Sequence, residues 1–215
     1  SFFDVDASEI EKVFLLKDNV KGELGVQCER MPNDVGGDLV LLRHIRGCDG
    51  DVPHATKTFK RYLAWREENG VDHIRQAIIN NDWSFDTVPG SAELQAVWPS
   101  NTWIDGDGAQ GDILSIEMVG GVDMSKLLGA VSVEEYTRTL LYLTELKGML
   151  LNAKSRQERR VLQVYYAIDF KAVTMAHRKI MPYARAFNRV HNGRFRDVMK
   201  KVFLTRVGVV GQSLW

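Results

Sequence analysis

Val161-Leu162-Gln163-Val164-Tyr165-Tyr166-Ala167-Ile168 is apolar at every position but Gln163 and dominated by β-branched and aromatic residues. Such a run reads as a strand covered on both faces. Working outward, Thr174 opens a helix that runs to about Val190, and Val202–Val210 reads as another strand. On the other side, Ser132 and Glu135 form a capping-box pattern, and a long helix follows through Tyr136, Leu140, Leu143 and Leu146. Before it, Ile113–Val119 is a strand closed by Gly120-Gly121. Strand, helix, strand, helix, strand is the order of an α/β fold, a mostly parallel sheet with crossover helices.

The N-terminal third reads as helices. Ser8 caps a short helix through Lys17, while Lys21–Pro32, with Gly22 and Gly25, is a poor helix former. Asp38–Arg46 forms a helix that stops at Gly47. Asp51 or Val52 then leads into Pro53, placed for a first helical turn. Phe59, Tyr62, Leu63 and Arg66 recur at the spacing of one helix face, and Asn69-Gly70 ends that helix. Residues 81–112, with Pro89, Pro99 and several glycines, read as loop with a short helix near Ala92–Val97. This organisation predicts an N-terminal helical bundle over residues 1–80 and a sheet-bearing domain over 81–215.

The chain has 215 residues, 45% apolar and 26% charged, which excludes disordered, collagen-like and coiled-coil classes. No apolar run approaches the ~20 residues of a membrane-spanning helix. The two cysteines, Cys28 and Cys48, form neither a metal pattern nor a disulfide framework, as suits a reducing cytosol. No basic segment followed by an apolar one opens the chain, so no secretory signal is expected. The net charge is zero but unevenly spread. Residues 1–149 hold 14 Lys+Arg against 25 Asp+Glu, and residues 150–215 hold 14 against 3. Such asymmetry marks either a face that meets anions or two halves that neutralise each other.

Sites of chemistry are scarce. Gly106-Asp107-Gly108-Ala109-Gln110-Gly111 spells GxGxxG, but it precedes a strand and sits among Asp105, Asp107 and Asp112, which repel phosphate. It reads as a turn. His44, His54, His73, His177 and His191 share no metal-ligand spacing, and there is no nucleophile elbow. Asp169, at the end of the buried strand, reads as the cap of a turn rather than a catalytic carboxylate. No enzyme activity, catalytic residue, metal, cofactor or nucleic-acid partner is expected. Composition alone does not separate an interior ligand cavity from a packed core.

Several motifs in order carry a resemblance. Leu41-Leu42-Arg43-His44-Ile45-Arg46, then Asp51, then Trp65-Arg66-Glu67-Glu68-Asn69-Gly70-Val71-Asp72 resembles the pattern LLRFLRARKFD followed by WRKEnGvD. Asp107-Gly108 with Ile116-Glu117-Met118-Val119-Gly120-Gly121-Val122-Asp123 resembles DG…IERLGGID. Ala167-Ile168-Asp169-Phe170-Lys171-Ala172 resembles VIVDLKG, and Val202-Phe203-Leu204-Thr205-Arg206 through Leu214-Trp215 resembles YIINAP…LW. Together they span residues 34–215 and resemble the CRAL-TRIO lipid-binding family, in the manner of its phosphatidylinositol/phosphatidylcholine transfer proteins.

The resemblance implies a non-enzymatic module. A sheet floors an apolar pocket for one hydrophobic lipid, helices close over it, and a gate helix admits the ligand. Members continue past the LW motif, so the resemblance implies an incomplete domain whose C-terminal part is missing. Where the family's inositol-phosphate binders carry Arg-Lys, this chain has Cys48-Asp49; where the phosphatidylcholine binders carry a Ser and a Thr, it has Val164 and Tyr166. On the strand the resemblance makes a pocket floor, alternation puts Val164, Tyr166 and Ile168 on one face. The resemblance adds Ser115 on the preceding strand and Tyr142, a head-group tyrosine, on the long helix. The expected function is lipid binding and intermembrane transfer, cytoplasmic with transient peripheral membrane contact. The alternative is a regulatory module that meets a protein partner or an anionic membrane through Arg178, Arg185 and Arg189, spaced for one helix face.

Overall fold

The computed structural model describes residues 4–28, 35–98, 102–104, 113–192 and 198–208. In chain order the elements are α1 (Ala7–Asn19), α2 (Lys21–Cys28), α3 (Asp38–Arg46), α4 (Val52–Glu68), α5 (Val71–Asn81) and α6 (Ser91–Val97). They continue with β1 (Thr102–Ile104), β2 (Ile113–Met118), α7 (Met124–Ala130), α8 (Val133–Glu158), β3 (Val164–Asp169), α9 (Met181–His191) and β4 (Met199–Thr205). The fold is α/β, with helices first and a mostly parallel sheet after them. Sheet order is β1-β2-β3-β4; β1 runs antiparallel to β2, and β2, β3 and β4 are parallel, so α7 with α8 and then α9 serve as crossovers.

Two compact units divide the chain. The first draws its described residues from Ser1–His73, Lys147–Leu162 and Gly193–Val198, the second from Ile74–Leu146, Gln163–Asn192 and Met199–Trp215. In the first, Leu16, Val20, Leu41, Ile45, Phe59, Leu151 and Leu162 are buried. Arg43 of the LLRHIR motif is itself buried and donates to Asn152 Oδ1 (3.3 Å), Ser155 Oγ (3.2 Å) and the Leu162 carbonyl (2.8 Å). Arg66 of the second helical motif is buried too. It donates to Asp72 Oδ1 at 2.7 Å and to the Tyr62 hydroxyl at 2.9 Å. These motif arginines fasten helices; buried and multiply bonded, they are costly to remove.

Helix ends follow local chemistry where the signals are strong. Asp51 Oδ1 accepts from the His54 amide, Pro53 sits in the first turn of α4, and Gly70 takes φ +61° after Asn69. Ser132 Oγ and Glu135 close the capping box of α8 at 3.1 and 2.8 Å. Elsewhere the structure corrects the sequence reading. The cap of α1 is Asp6, not Ser8, in a capping box with Glu9. Lys21–Cys28 is helical despite its glycines, with Leu24 buried. α7 and β1 occupy stretches in which no such elements were expected, whereas α5 falls in the helical region expected over 1–80 and ends one residue past it. The helix expected from Thr174 is two pieces, a 3-10 turn over Met175–Ile180 and then α9, with Pro182 in the first turn of α9. Strand β4 starts earlier than expected, at Met199; Val209, Val210, the Leu214-Trp215 motif and the Gly106–Gly111 loop lie outside the described residues.

Candidate functional site

The second unit carries the strand residues nominated for lipid contact. Parallel pairing sets Ile113 beside Val164, Ser115 beside Tyr166 and Glu117 beside Ile168, and then Tyr166 beside Val202 and Ile168 beside Leu204. Residues in register across a sheet share a face. Val164, Tyr166 and Ile168 therefore share one face, as alternation predicts, and Ser115, nominated from the resemblance, lies on it beside Tyr166. Val164 is 0% exposed, Ser115 1% and Tyr166 5%, whereas Ile168, Val202 and Leu204 are half-buried. The face is deepest at the start of β3 and opens toward its end. The opposite face, with Leu114, Ile116, Tyr165 and Ala167, is half-buried, and Phe203 and Met118 there are exposed.

Aromatic rings gather near the Glu117 end of the buried face. Trp98, just after α6, stacks on Tyr136 of α8 with centroids 5.7 Å apart, and Tyr136 meets Tyr183 of α9 edge-on at 5.3 Å. The Tyr183 hydroxyl donates to the Val131 carbonyl at 2.6 Å. Burial, and after it the nearby Glu117 carboxylate, pushes the Tyr136 phenol well above its ordinary range. These rings come from three elements far apart in sequence, and no local pattern announces their meeting. Tyr142 is placed differently: it is half-buried on α8 with its ring edge-on to Trp83 at 5.6 Å.

One polar atom stands out on the apolar face. Ser115 Oγ is buried and has no hydrogen-bond partner among the described residues; Trp98 Nε1 and His177 Nε2 share that condition. The His177 ring has its other nitrogen, Nδ1, as acceptor for the Thr174 amide at 3.0 Å, so Nε2 carries the proton. A buried hydroxyl without a partner costs about 1–3 kcal/mol. A polar group of a ligand would satisfy such a hydroxyl. Among the described residues no group of three or more His, Cys, Asp or Glu is arranged to hold a metal ion.

Asp169 ends β3 in a bracing role. Its Oδ1 accepts from the Lys171 amide (3.0 Å), and the Arg206 guanidinium clasps both carboxylate oxygens. Burial opposes ionisation of Asp169, but the bonds from Arg206, Lys171 and Thr205 outweigh it and hold the pKa below the ordinary carboxylate value. A depressed native pKa adds stability above the unfolded-state pKa of ~3.9, and that stability is lost as pH falls through the native value. Asp169→Asn is expected to cost about 1–2 kcal/mol at pH 7, discounted for the exposure of Arg206. In acid titrations monitored by circular dichroism the gap to the parent should close as pH falls; a constant gap would show that ionisation plays no part.

The arginines nominated for anion contact are all exposed. Arg185 and Arg189 stand one turn apart on α9, but Arg178 belongs to the preceding 3-10 turn, so the one-face spacing read from the sequence crosses two helix geometries. Cys48 is buried with Sγ 3.5 Å from Thr58 Oγ1, and Asp49 is exposed in a left-handed turn at φ +52°.

No family model matches the chain. The SEC14 cytosolic factor of Eremothecium gossypii is 26% identical over 170 residues, 78% of this chain and 52% of that protein. The phosphatidylinositol/phosphatidylcholine transfer protein SFH9 of Arabidopsis thaliana is 26% identical over 135 residues, 63% of this chain and 21% of that protein. The chain is thus similar to CRAL-TRIO proteins. It spans about half the length of the first relative and a fifth of the second. The CRAL-TRIO-like motifs fall on joints of the fold: Arg43 and Arg66 inside the first unit, Gly120 and the Asp169–Ala172 turn inside the second. Where the resemblance places a serine and a threonine, this chain has Val164, which carries no hydroxyl, and Tyr166, which carries a phenol; Ser115 stands beside Tyr166 on the neighbouring strand.

Proposed function

We propose that this chain binds one hydrophobic ligand, a phospholipid or another small lipid, on the Ser115 face of its sheet and carries it between membranes without catalysing a reaction. The observation that carries this reading is a buried hydroxyl on that face, Ser115 Oγ, which lacks a hydrogen-bond partner among the described residues. Val164, Tyr166 and Ile168 meet the hydrocarbon, where each buried CH₂ is worth ~0.8 kcal/mol. Ser115 donates to a polar ester or head-group oxygen, and Tyr142 on α8 serves the head-group end. The names of the two relatives, a cytosolic factor and a phospholipid transfer protein, support the class of ligand and a cytoplasmic setting. Peripheral contact with an anionic bilayer runs through Arg178, Arg185 and Arg189, which lie in the basic part of the chain. A second reading, a regulatory module that meets an anionic surface or a protein partner without carrying lipid, draws on the exposure of the same three arginines.

Vesicles of phosphatidylcholine and phosphatidylserine separate the two. Native mass spectrometry of the re-isolated chain should find one lipid per molecule. Ser115→Ala should keep the fold, since it deletes an unpaired hydroxyl, and weaken lipid retention roughly 5- to 10-fold, the worth of one hydrogen bond. Charge reversal at the three arginines should lower vesicle association while preloaded lipid stays bound. Vesicle association with no lipid ever captured would favour the regulatory module, and capture indifferent to Ser115→Ala would remove the assigned face.

A further inference from the structure

We infer that the outward face of α1 is a docking site for a helix of a partner protein, apolar along one stripe and basic along its flanks. The inward face of α1 is ordinary: Val13, Leu16 and Val20 are buried. The outward face is not. Ala7, Ile10, Glu11, Phe14, Leu15 and Asp18 line a shallow open groove, and their spacing of three and four residues makes one continuous helical stripe. Ile10 is 40% exposed, Leu15 51% and Phe14 62%. A helix with apolar residues on both sides has one face more than its own fold uses, and an i, i+3, i+4, i+7 row of exposed anchors is the form in which helices recognise other helices.

Charge selects the occupant. The cations of α1 have partners of their own: Lys17 pairs with Asp38 at 2.9 Å, and the Lys12 ammonium lies against the Gly50 turn. Glu9 is bound to Arg46 at 2.7 Å. Glu11 and Asp18 remain, both exposed, and no cation shares the groove with them among the described residues. A second copy of this helix would bring acid to acid, and an anionic bilayer would be repelled by the same carboxylates. A helix with Lys or Arg flanking an apolar seam satisfies both the groove and its rim.

The probe is a labelled synthetic peptide, an amphipathic helix with a leucine seam and lysine flanks, compared by fluorescence anisotropy with a twin whose flanks are glutamate. With the intact chain, the lysine peptide should bind at least about tenfold more tightly than its twin, with the difference shrinking at high salt. Phe14→Ser, which removes an exposed ring, and the pair Glu11→Lys with Asp18→Lys should each weaken the lysine peptide at least about tenfold. Circular dichroism confirms that the variants fold; if Phe14→Ser does not, Leu15→Ser replaces it. Equal binding of the two peptides, binding of neither, or binding untouched by the α1 variants would overturn the proposal. Sedimentation showing a dimer that Phe14→Ser dissociates would also overturn it, in favour of self-association.

Discussion

Gly120→Ala is expected to destabilise the chain by about 3–4 kcal/mol, while Gly121→Ala changes it by less than about 0.5 kcal/mol. A Cβ at Gly120 would stand 1.7 Å from the Lys171 carbonyl oxygen and 2.9 Å from the Val173 amide nitrogen. Both are backbone atoms, so no rotamer relieves the clash; the turn after β2 or the turn after β3 must move. At Gly121 the nearest atom is the Met118 Cβ at 3.7 Å, an ordinary contact. The turn that Gly120 touches is already strained, because Ala172 holds φ +64°, a left-handed conformation that costs a side-chain-bearing residue about 1–2 kcal/mol. The CRAL-TRIO pattern carries glycine there. Ala172→Gly should therefore stabilise by up to about 1 kcal/mol once the extra freedom of glycine in the unfolded chain is subtracted. Urea midpoints for the three variants settle the matter. Equal midpoints for Gly120→Ala and Gly121→Ala would mean that the two turns do not meet as described.

That joint shows what a sequence reveals and what it conceals. The glycine pair after Ile113–Met118 was visible as a strand terminator, because chain reversal is a local event. Which of the two glycines is indispensable was not, since the reason lies some 50 residues downstream, in the Lys171 carbonyl. The helices α3 and α4 were legible for the same local reason: Gly47, Asp51, Pro53 and Gly70 act within a turn of where they stand. α2 was missed because its glycines lower propensity, while the burial of Leu24 that offsets them is tertiary. β1 is three residues long and owes its existence to pairing with β2. At the candidate site, alternation named Val164, Tyr166 and Ile168 as sharing one face because a strand's period is intrinsic. The unpaired state of Ser115 Oγ and the meeting of Trp98, Tyr136 and Tyr183 are properties of packed neighbours, and no spacing encodes them.

The buried pair Arg75 and Glu145 makes the same point with a larger energy. Both lie in the second unit, on α5 and α8, 70 residues apart, and both are nearly inaccessible, with side chains 4% and 3% exposed. Arg75 Nη1 donates to Glu145 Oε1 at 2.7 Å. Removing one partner deprives the other of its 2.7 Å ion pair in an environment that solvent does not reach, so Arg75→Met alone is expected to cost about 3–5 kcal/mol. Glu145→Leu alone should cost a similar amount. The double variant should recover most of the loss, ending within about 1–2 kcal/mol of the parent, because neither half of the pair is left buried without the other and two apolar side chains fill the space. The residual cost reflects the other groups that these two side chains engage. Arg75→Lys should rescue poorly, because an ammonium lacks the planar fork of the guanidinium. A double-mutant cycle in urea reads the coupling directly. Additive single losses would show that the two charges do not sense each other, and the pair would then be no more than neighbours on adjoining helices. Strong coupling would make it a clamp between α5 and α8, the helix that also brings Tyr136 into the aromatic cluster.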